Sequence, residues 1–152
     1  MSRLDYRKSS PEGLAAVRAL ETYVRDCGLE TSLLELVRTR ASQINGCAYC
    51  VDMHSKEARR DGLSEQWINM VCVWHESPVF DARERAVLGW TDAVTNIAQT
   101  GAPDSAYDAL RAHFNETEIT KITTAIGLIN VWNRLSVSFR KQHPVDAPAR
   151  AA

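Results

Sequence analysis

The sequence lacks an excess of charge of either sign: 18 lysine and arginine residues stand against 19 aspartate and glutamate residues, for a formal net charge of −1. Proteins that bind nucleic acids or anionic membranes need a positive field to neutralise phosphate groups, so we exclude nucleic acid as a partner. The sequence also lacks a hydrophobic run long enough to span a bilayer, and no apolar segment follows the charged residues near Met1. We therefore expect a cytoplasmic protein that does not enter a membrane.

Internal repeats and low-complexity blocks are absent as well, and signals for β-strands are weak. Hydrophobic residues make up 45% of the 152 residues and charged residues 24%, which is typical of a globular protein. A chain of this length buries most of its apolar surface in one core. We predict a single domain over residues 1–152, with a loose tail over residues 143–152, where prolines prevent a helix.

Hydrophobic residues instead recur at helical spacing, and capping residues and glycines separate about seven helices. Ser10 is predicted to cap the first helix, in which Pro11 takes the first position. Capping boxes, in which two side chains three residues apart bond each other's backbone N–H groups, are expected at residues 81–84 and 115–118. The predicted helices cover about residues 11–27, 31–43, 47–62, 65–76, 82–100, 104–114 and a long segment from 116.

Two of the four cysteines, Cys47 and Cys50, lie three residues apart, and His54 follows four residues after Cys50. On a helix these three side chains share one face, and residues four apart are neighbours on successive turns, so His54 should act on Cys50 directly. The unpaired N–H groups of the first helical turn favour a thiolate, and the spacing permits a reversible disulfide. The segment predicts redox chemistry, in which one thiolate attacks an electrophilic oxygen or sulfur and the other thiol closes the disulfide.

Two other interpretations of this segment stay open. Cys47, Cys50 and His54 could bind zinc together with Cys72 or His75, although the second ligand pair of a structural zinc site is not evident. Free cysteines also pack as small hydrophobic residues without any chemistry. Cys72 itself has apolar neighbours and is predicted to lie in the core, whereas His75 is predicted to be a surface group or a helix cap.

The spacing around the cysteine pair extends to a carboxylate, because Glu35 precedes Cys47 by twelve positions. Together with the Cys-x-x-Cys-x-x-x-His pattern of residues 47–54 and the segments 77–80 (SPVF) and 129–134 (INVWNR), it resembles the AhpD-like alkylhydroperoxidases of the carboxymuconolactone decarboxylase family. The likeness covers a core of about residues 12–140. It implies an all-α fold that assembles as a homo-trimer or homo-hexamer.

The resemblance also implies a role for each residue of the motif. Cys50 corresponds to the thiol that attacks a hydroperoxide, Cys47 to the resolving thiol and His54 to the proton-relay imidazole. Glu35 corresponds to the carboxylate that assists the relay. A protein or lipoyl dithiol would reduce the disulfide again, and no bound cofactor is required.

Four residues near the motif have less specific interpretations. Glu35 also fits a capping box with Ser32, on the polar side of its helix. Tyr49 stands where the best-known peroxidase of the family carries a histidine, and tyrosine cannot act as a base near neutral pH. Asn130 and Asn133, three apart in an apolar helix, either hydrogen-bond their surroundings or help to shape a pocket.

Together with this resemblance, the sequence thus predicts a thiol-dependent peroxidase that reduces hydroperoxides in antioxidant defence. The alternative from another class is a non-catalytic redox sensor or interaction module, in which the same disulfide changes the assembly of the chain or exposes a binding surface. The two differ in turnover, since a sensor is oxidised slowly and only once.

Overall fold

The computed structural model describes residues 2–146, in which helices form and strands do not, so the all-α prediction is confirmed. Within these residues there are nine α-helices and one 3-10 helix, where about seven helices were predicted. The helices are α1 (Tyr6–Ser9), α2 (Pro11–Asp26), α3 (Thr31–Ile44), α4 (Ala48–Arg60), α5 (Glu65–Met70), the 3-10 helix (Val71–Val73), α6 (Ala82–Thr95), α7 (Ile97–Thr100), α8 (Asp104–Arg111) and α9 (Glu116–Ser138). None of the helices in this part of the chain has the length and apolar character needed to cross a membrane.

The predicted helix over residues 65–76 is wrong in its second half. Helix α5 ends at Met70, and the chain continues as the 3-10 helix, which has three residues per turn. Val71 and Trp74, three residues apart, therefore both point into the core, while Cys72 is exposed. The prediction that Cys72 lies in the core is wrong for this reason.

The predicted helix over residues 82–100 is interrupted at Asn96, which separates α6 from α7. The side-chain amide of Asn96 donates a hydrogen bond to the carbonyl oxygen of Asp92 at 3.0 Å. Such side-chain bonds compete with the helical backbone pattern. At the end of the described chain, residues 143–146 are exposed and not helical, and the rest of the predicted tail lies outside the described residues.

Helix α3 lies at the centre of the fold and packs against α4, α6 and α9. Consecutive residues from Leu33 to Val37 are all buried, so the helix is covered on nearly every side. A polar residue in this stretch cannot reach solvent wherever it points. This packing, rather than the local sequence, decides the environment of Glu35.

A polar cluster ties the end of α3 to α9. The side-chain amide of Asn45 donates to the side-chain oxygens of Asn130 at 3.0 Å and Asn133 at 2.9 Å. Asn133, which is fully buried, donates in turn to the hydroxyl of Ser42 at 3.0 Å. The buried Asn133 is thus satisfied, and the cluster fixes Asn45 at the end of α3, two residues before Cys47.

The segment before α1 meets the end of α9. After α9 the backbone reverses at Arg140, which has a left-handed φ of 53°. The N–H of Lys141 then bonds the carbonyl of Ser136 at 2.9 Å, the long-range bond of a Schellman motif. The N–H of Arg3 bonds the carbonyl of Phe139 at 3.0 Å, so the segment before α1 packs beside this turn.

The helix caps that were predicted from the sequence can be compared with the structure and tested by substitution. Both capping boxes form as predicted, and Asp81 accepts the N–H of Glu84 at 2.8 Å. Ser10 and Pro11 occupy the N-cap and the first position of α2 as predicted, but the Ser10 side chain makes no capping hydrogen bond there. We expect Asp81→Ala to lower the free energy of unfolding by about 1 kcal/mol and Ser10→Ala by less than about 0.5 kcal/mol. Urea unfolding of the two variants measures the difference, and equal losses would contradict it.

Candidate active site

The cysteine motif begins in the turn that joins α3 to α4. Gly46 has a left-handed φ of 63°, and the N–H of Cys47 bonds the carbonyl of Ser42 at 2.9 Å. Glycine suits this position because it adopts positive φ without strain. Cys47 is at the same time the N-cap residue of α4, and its Sγ accepts the N–H of Cys50 at 3.3 Å. The two cysteines therefore lie at the positive end of α4.

Cys47 and Cys50 form a disulfide, with their Cα atoms 5.3 Å apart. Each is only 1% exposed, and His54 and Ala58, one and two turns further, are also buried. The prediction that these side chains share one face of a helix is confirmed. Because this pair is bridged, the structure is that of its oxidised form. Cys27 and Cys72 are free.

His54 lies between two carboxylates. Its Nδ1 is 2.8 Å from Oε2 of Glu57 and 3.8 Å from Oε2 of Glu35. The hydrogen bond with His54 lowers the pKa of Glu57, so Glu57 is ionised at neutral pH and can only accept. Nδ1 must then carry the proton of this bond. Nε2 of His54 is buried and has no hydrogen-bond partner among the described residues, which leaves its lone pair free in the neutral imidazole.

Glu57 was missed in the sequence analysis, although the signal was present. It follows His54 by three positions, and residues three apart on a helix are neighbours. A glutamate at this spacing is common on helix surfaces, however, and only the burial of His54 makes the contact informative. Glu57 is a first candidate for a residue that orients the imidazole.

Glu35 is 1% exposed and therefore does not lie on a solvated face. It does not cap α3 either, because no side chain bonds the first turn of that helix, so the capping-box interpretation is wrong. Oε1 of Glu35 accepts a hydrogen bond from Arg38 at 2.8 Å, and Oε2 has no hydrogen-bond partner among the described residues. Burial raises the pKa of Glu35, although the nearby His54 and Arg38 oppose this shift.

Arg38 connects this carboxylate to the N-terminal helices. Its second amino group donates to Glu21 at 3.2 Å, and the other oxygen of Glu21 accepts the indole N–H of Trp132 at 2.6 Å. A polar chain thus runs from Glu35 through Arg38 and Glu21 to α9. These bonds hold Glu35 in place beside His54.

Among residues 2–146, the group that could hold a metal ion is Glu35, His54 and Glu57, whose candidate ligand atoms lie within 4.8 Å of one another. Oε1 of Glu35 already accepts from Arg38, and Nδ1 of His54 and Oε2 of Glu57 already bond each other. The zinc interpretation needed Cys72 or His75 as a further ligand. Cys72 is exposed, His75 stacks on Trp74 with ring centroids 3.7 Å apart, and neither belongs to this group.

A cavity of about 690 Å³ opens beside these residues. Tyr49, Cys50, His54 and Glu35 border it, whereas Cys47 does not, and neither do Asn130 and Asn133, which instead join α3 to α9. The apolar part of its wall comes from several helices and includes Leu14, Leu34, Met53, Leu128, Ile129 and Trp132. The structure thus places Cys50, His54 and the buried Glu35 at one cavity that is large enough for an organic molecule.

Residues 11–93 match the sequence profile of the carboxymuconolactone decarboxylase family. The chain belongs to this family. The uncharacterized Bacillus subtilis protein YdfG is 34% identical to this chain over 136 residues, which are 90% of this chain and 92% of YdfG. The family resemblance inferred from the cysteine motif is therefore confirmed.

Two solved structures extend the comparison. A protein of unknown function from Agrobacterium tumefaciens, provisionally assigned to antioxidant defence as AhpD, superposes with a TM-score of 0.95. It is 62% identical, and the match covers 96% of this chain and all of that one. The debrominase Bmp8 superposes with a TM-score of 0.82 at 20% identity over 90% of this chain and 74% of Bmp8, which shows a shared fold. Proteins with this fold therefore include a debrominase, so the fold alone does not determine the reaction.

Proposed function

We propose that this protein is a thiol-dependent peroxidase that reduces organic hydroperoxides in antioxidant defence. The observation that carries the proposal is the Cys47–Cys50 disulfide. Cys50 borders a large cavity, and one turn further along α4 the same cavity is bordered by His54, whose buried imidazole has a nitrogen without a hydrogen-bond partner among the described residues. The likeness to a protein provisionally assigned to antioxidant defence supports the same reaction.

The proposed reaction starts from the reduced pair. Nε2 of His54 accepts the proton of the Cys50 thiol, and the thiolate attacks the outer oxygen of the hydroperoxide. The O–O bond breaks, Cys50 becomes a sulfenic acid, and the alkoxide takes the proton from His54 to leave as an alcohol. Glu57 and Glu35 stabilise the positive imidazolium between these steps. Cys47 then attacks the sulfenic sulfur, and the disulfide forms with release of water.

Cys50 is assigned the attacking role because it borders the cavity, whereas Cys47 does not. The position of Cys47 at the N-cap of α4 fits a resolving thiol, since its Sγ already contacts the backbone N–H of Cys50. Tyr49 also borders the cavity, but as a phenol it serves there as a hydrogen-bond donor and not as a base.

A dithiol must return two electrons and two protons to the disulfide in each cycle. We assign this role to a protein or lipoyl dithiol, which a reducing compartment such as the cytoplasm keeps reduced. We further propose a homo-trimer or homo-hexamer, supported by apolar side chains on the outer faces of α2 and α9. Leu20, Tyr23, Val131 and Val137 are between 37% and 50% exposed in the single chain. Sedimentation analysis tests the assembly.

The proposal is tested by steady-state turnover of cumene hydroperoxide with dihydrolipoamide, combined with disulfide mapping by mass spectrometry. We expect many turnovers per chain and a bridge between Cys47 and Cys50, with Cys27 and Cys72 still free. Oxidation of the pair without turnover, accompanied by a change in oligomeric mass, would favour the redox sensor instead. If the pair resists oxidation altogether, neither function holds.

Glu57→Gln tests the orienting role of the second carboxylate. Glutamine can present either its oxygen or its amide group to Nδ1 of His54, so the imidazole is no longer held in one tautomer. We expect kcat/KM for the hydroperoxide to fall about tenfold, less than for loss of the base itself. Glu65→Gln is the matched control, because Glu65 pairs with Arg59 on the surface and does not border the cavity. Equal activity of the two variants would contradict the role of Glu57.

A further inference from the structure

The wall of the cavity is richer in positive than in negative charge, although the whole chain has a formal net charge of −1. Four lining residues are acidic, namely Glu21, Glu35, Glu57 and Asp61. Six are basic, namely Arg7, Arg18, Arg25, Arg38, Arg60 and Lys141. Arg25, Arg38 and Arg60 each pair with a nearby carboxylate.

Lys141 differs from these paired cations, as do Arg7 and Arg18, which also form no ion pair among residues 2–146. No carboxylate lies within 4.0 Å of Nζ of Lys141 among residues 2–146. Nζ instead lies 3.7 Å from the centre of the Tyr49 ring and 3.3 Å from the hydroxyl of Tyr6. An ammonium group has three N–H donors, so at least one remains for a ligand.

The fold holds Lys141 at this point. The left-handed turn at Arg140 directs the chain back after α9, and the bond from Lys141 N–H to the Ser136 carbonyl closes that turn. The ring of Tyr6, which is buried, also packs against Phe139 with centroids 6.0 Å apart. The turn after α9 and the hydroxyl of Tyr6 thus hold the lysine over Tyr49, the residue that directly precedes Cys50.

The size and polarity of the cavity limit what can bind between Lys141 and Cys50. A volume of about 690 Å³ suits an organic molecule of many atoms and is far larger than hydrogen peroxide needs. Its wall includes Leu14, Leu128 and Trp132, which favour an apolar body. The positive charge at Lys141 favours an anionic group at one end of that body.

We infer that the preferred substrates are amphiphilic organic hydroperoxides that carry a carboxylate, and that Lys141 binds this carboxylate while the peroxide meets Cys50. The inference rests on the proposed function for the reaction, but the binding of the carboxylate does not require it. The chemistry is unchanged, since the carboxylate is a handle that takes no part in bond breaking.

Equilibrium binding tests the inference without turnover. We would measure by calorimetry the affinity of a hydroxy-octadecadienoic acid, the alcohol that reduction would yield, and of its methyl ester, both below the concentration of micelle formation. The acid should bind about tenfold more tightly than the ester, as expected for one charge-assisted hydrogen bond. In Lys141→Met this ratio should fall close to one, and in Lys141→Arg it should persist. Lys8→Met, an exposed lysine outside the cavity, should keep the ratio of the unchanged protein.

Two results would overturn the inference: an equal affinity for acid and ester in the unchanged protein, or a preference for the acid that survives in Lys141→Met. The ratio of kcat/KM for the hydroperoxy acid and its ester provides a second readout and should follow the ratio of affinities. If no hydroperoxide is turned over but the binding ratio depends on Lys141, the proposed function fails while the carboxylate site stands.

Discussion

Cys50→Ser should abolish hydroperoxide turnover and leave a chain in which Cys47 forms no sulfenic acid. The serine hydroxyl stays protonated near neutral pH and is a poor nucleophile toward peroxide oxygen. Cys47 keeps its thiol in this variant but does not border the cavity, so a hydroperoxide bound there cannot reach it. Mass spectrometry with a sulfenic-acid trap, after one equivalent of cumene hydroperoxide, measures this result.

Cys47→Ser should behave differently, and the contrast separates the two roles. Cys50 still attacks the hydroperoxide, but no second thiol can close a disulfide, so each chain reduces about one molecule and stops. The trap should label Cys50 in this variant. Labelling of Cys47 in Cys50→Ser, or sustained turnover in Cys47→Ser with the dithiol, would reverse the assignment.

Cys72→Ser is the control for both cysteine variants. Cys72 is exposed, lies in the 3-10 helix and donates only to the carbonyl of Asn69 at 3.3 Å. It can therefore be oxidised by itself and complicate a count of thiols. Turnover should be unchanged in Cys72→Ser, and the cysteine pair is best titrated in this background.

The parts of the site that the sequence predicted are those that depend on local spacing. The shared face of Cys47, Cys50 and His54 follows from the helical period, and that period holds wherever α4 packs. Both capping boxes formed for the same reason, since all their bonds lie within four residues. A capping residue is less informative alone, as Ser10 shows.

The parts that the sequence did not predict depend on contacts between distant segments. Glu35 looked solvated because its helix has a polar side, but α4, α6 and α9 cover that helix. The contact between Lys141 and Tyr6 joins residues 135 positions apart, and neither residue lies in a motif. Cys72 was misplaced because a 3-10 turn replaced an α-helical one, and the periodicity of so short a segment does not separate the two.

Glu35→Gln is expected to cause the second large loss of activity. In Glu35→Gln the side chain keeps an oxygen for Arg38 but loses the negative charge near Nδ1 of His54. The imidazolium that forms when His54 takes the thiol proton is then less stable, so kcat/KM for the hydroperoxide should fall by about a hundredfold. Glu76→Gln, on the surface, is the matched control and should keep full activity. Normal activity in Glu35→Gln would remove Glu35 from the mechanism.

The same substitution is expected to lower activity but to raise the free energy of unfolding as the pH rises from acid to neutral. Because burial raises the pKa of Glu35 above its ordinary value of 4.5, the folded chain binds this proton more tightly than the unfolded chain. The contribution to the free energy of unfolding is therefore fully present below pH 4.5 and is lost as the pH rises through the pKa of the folded state. Glutamine has no proton to lose, so Glu35→Gln should gain stability relative to the unchanged protein between acid and neutral pH. Urea unfolding at acid and at neutral pH measures this gain.

The difference in free energy of unfolding between Glu35→Gln and the unchanged protein could instead be the same at both pH values, as expected for Glu76→Gln. That result would show that burial does not destabilise the Glu35 carboxylate, and its role would then reduce to pairing with Arg38.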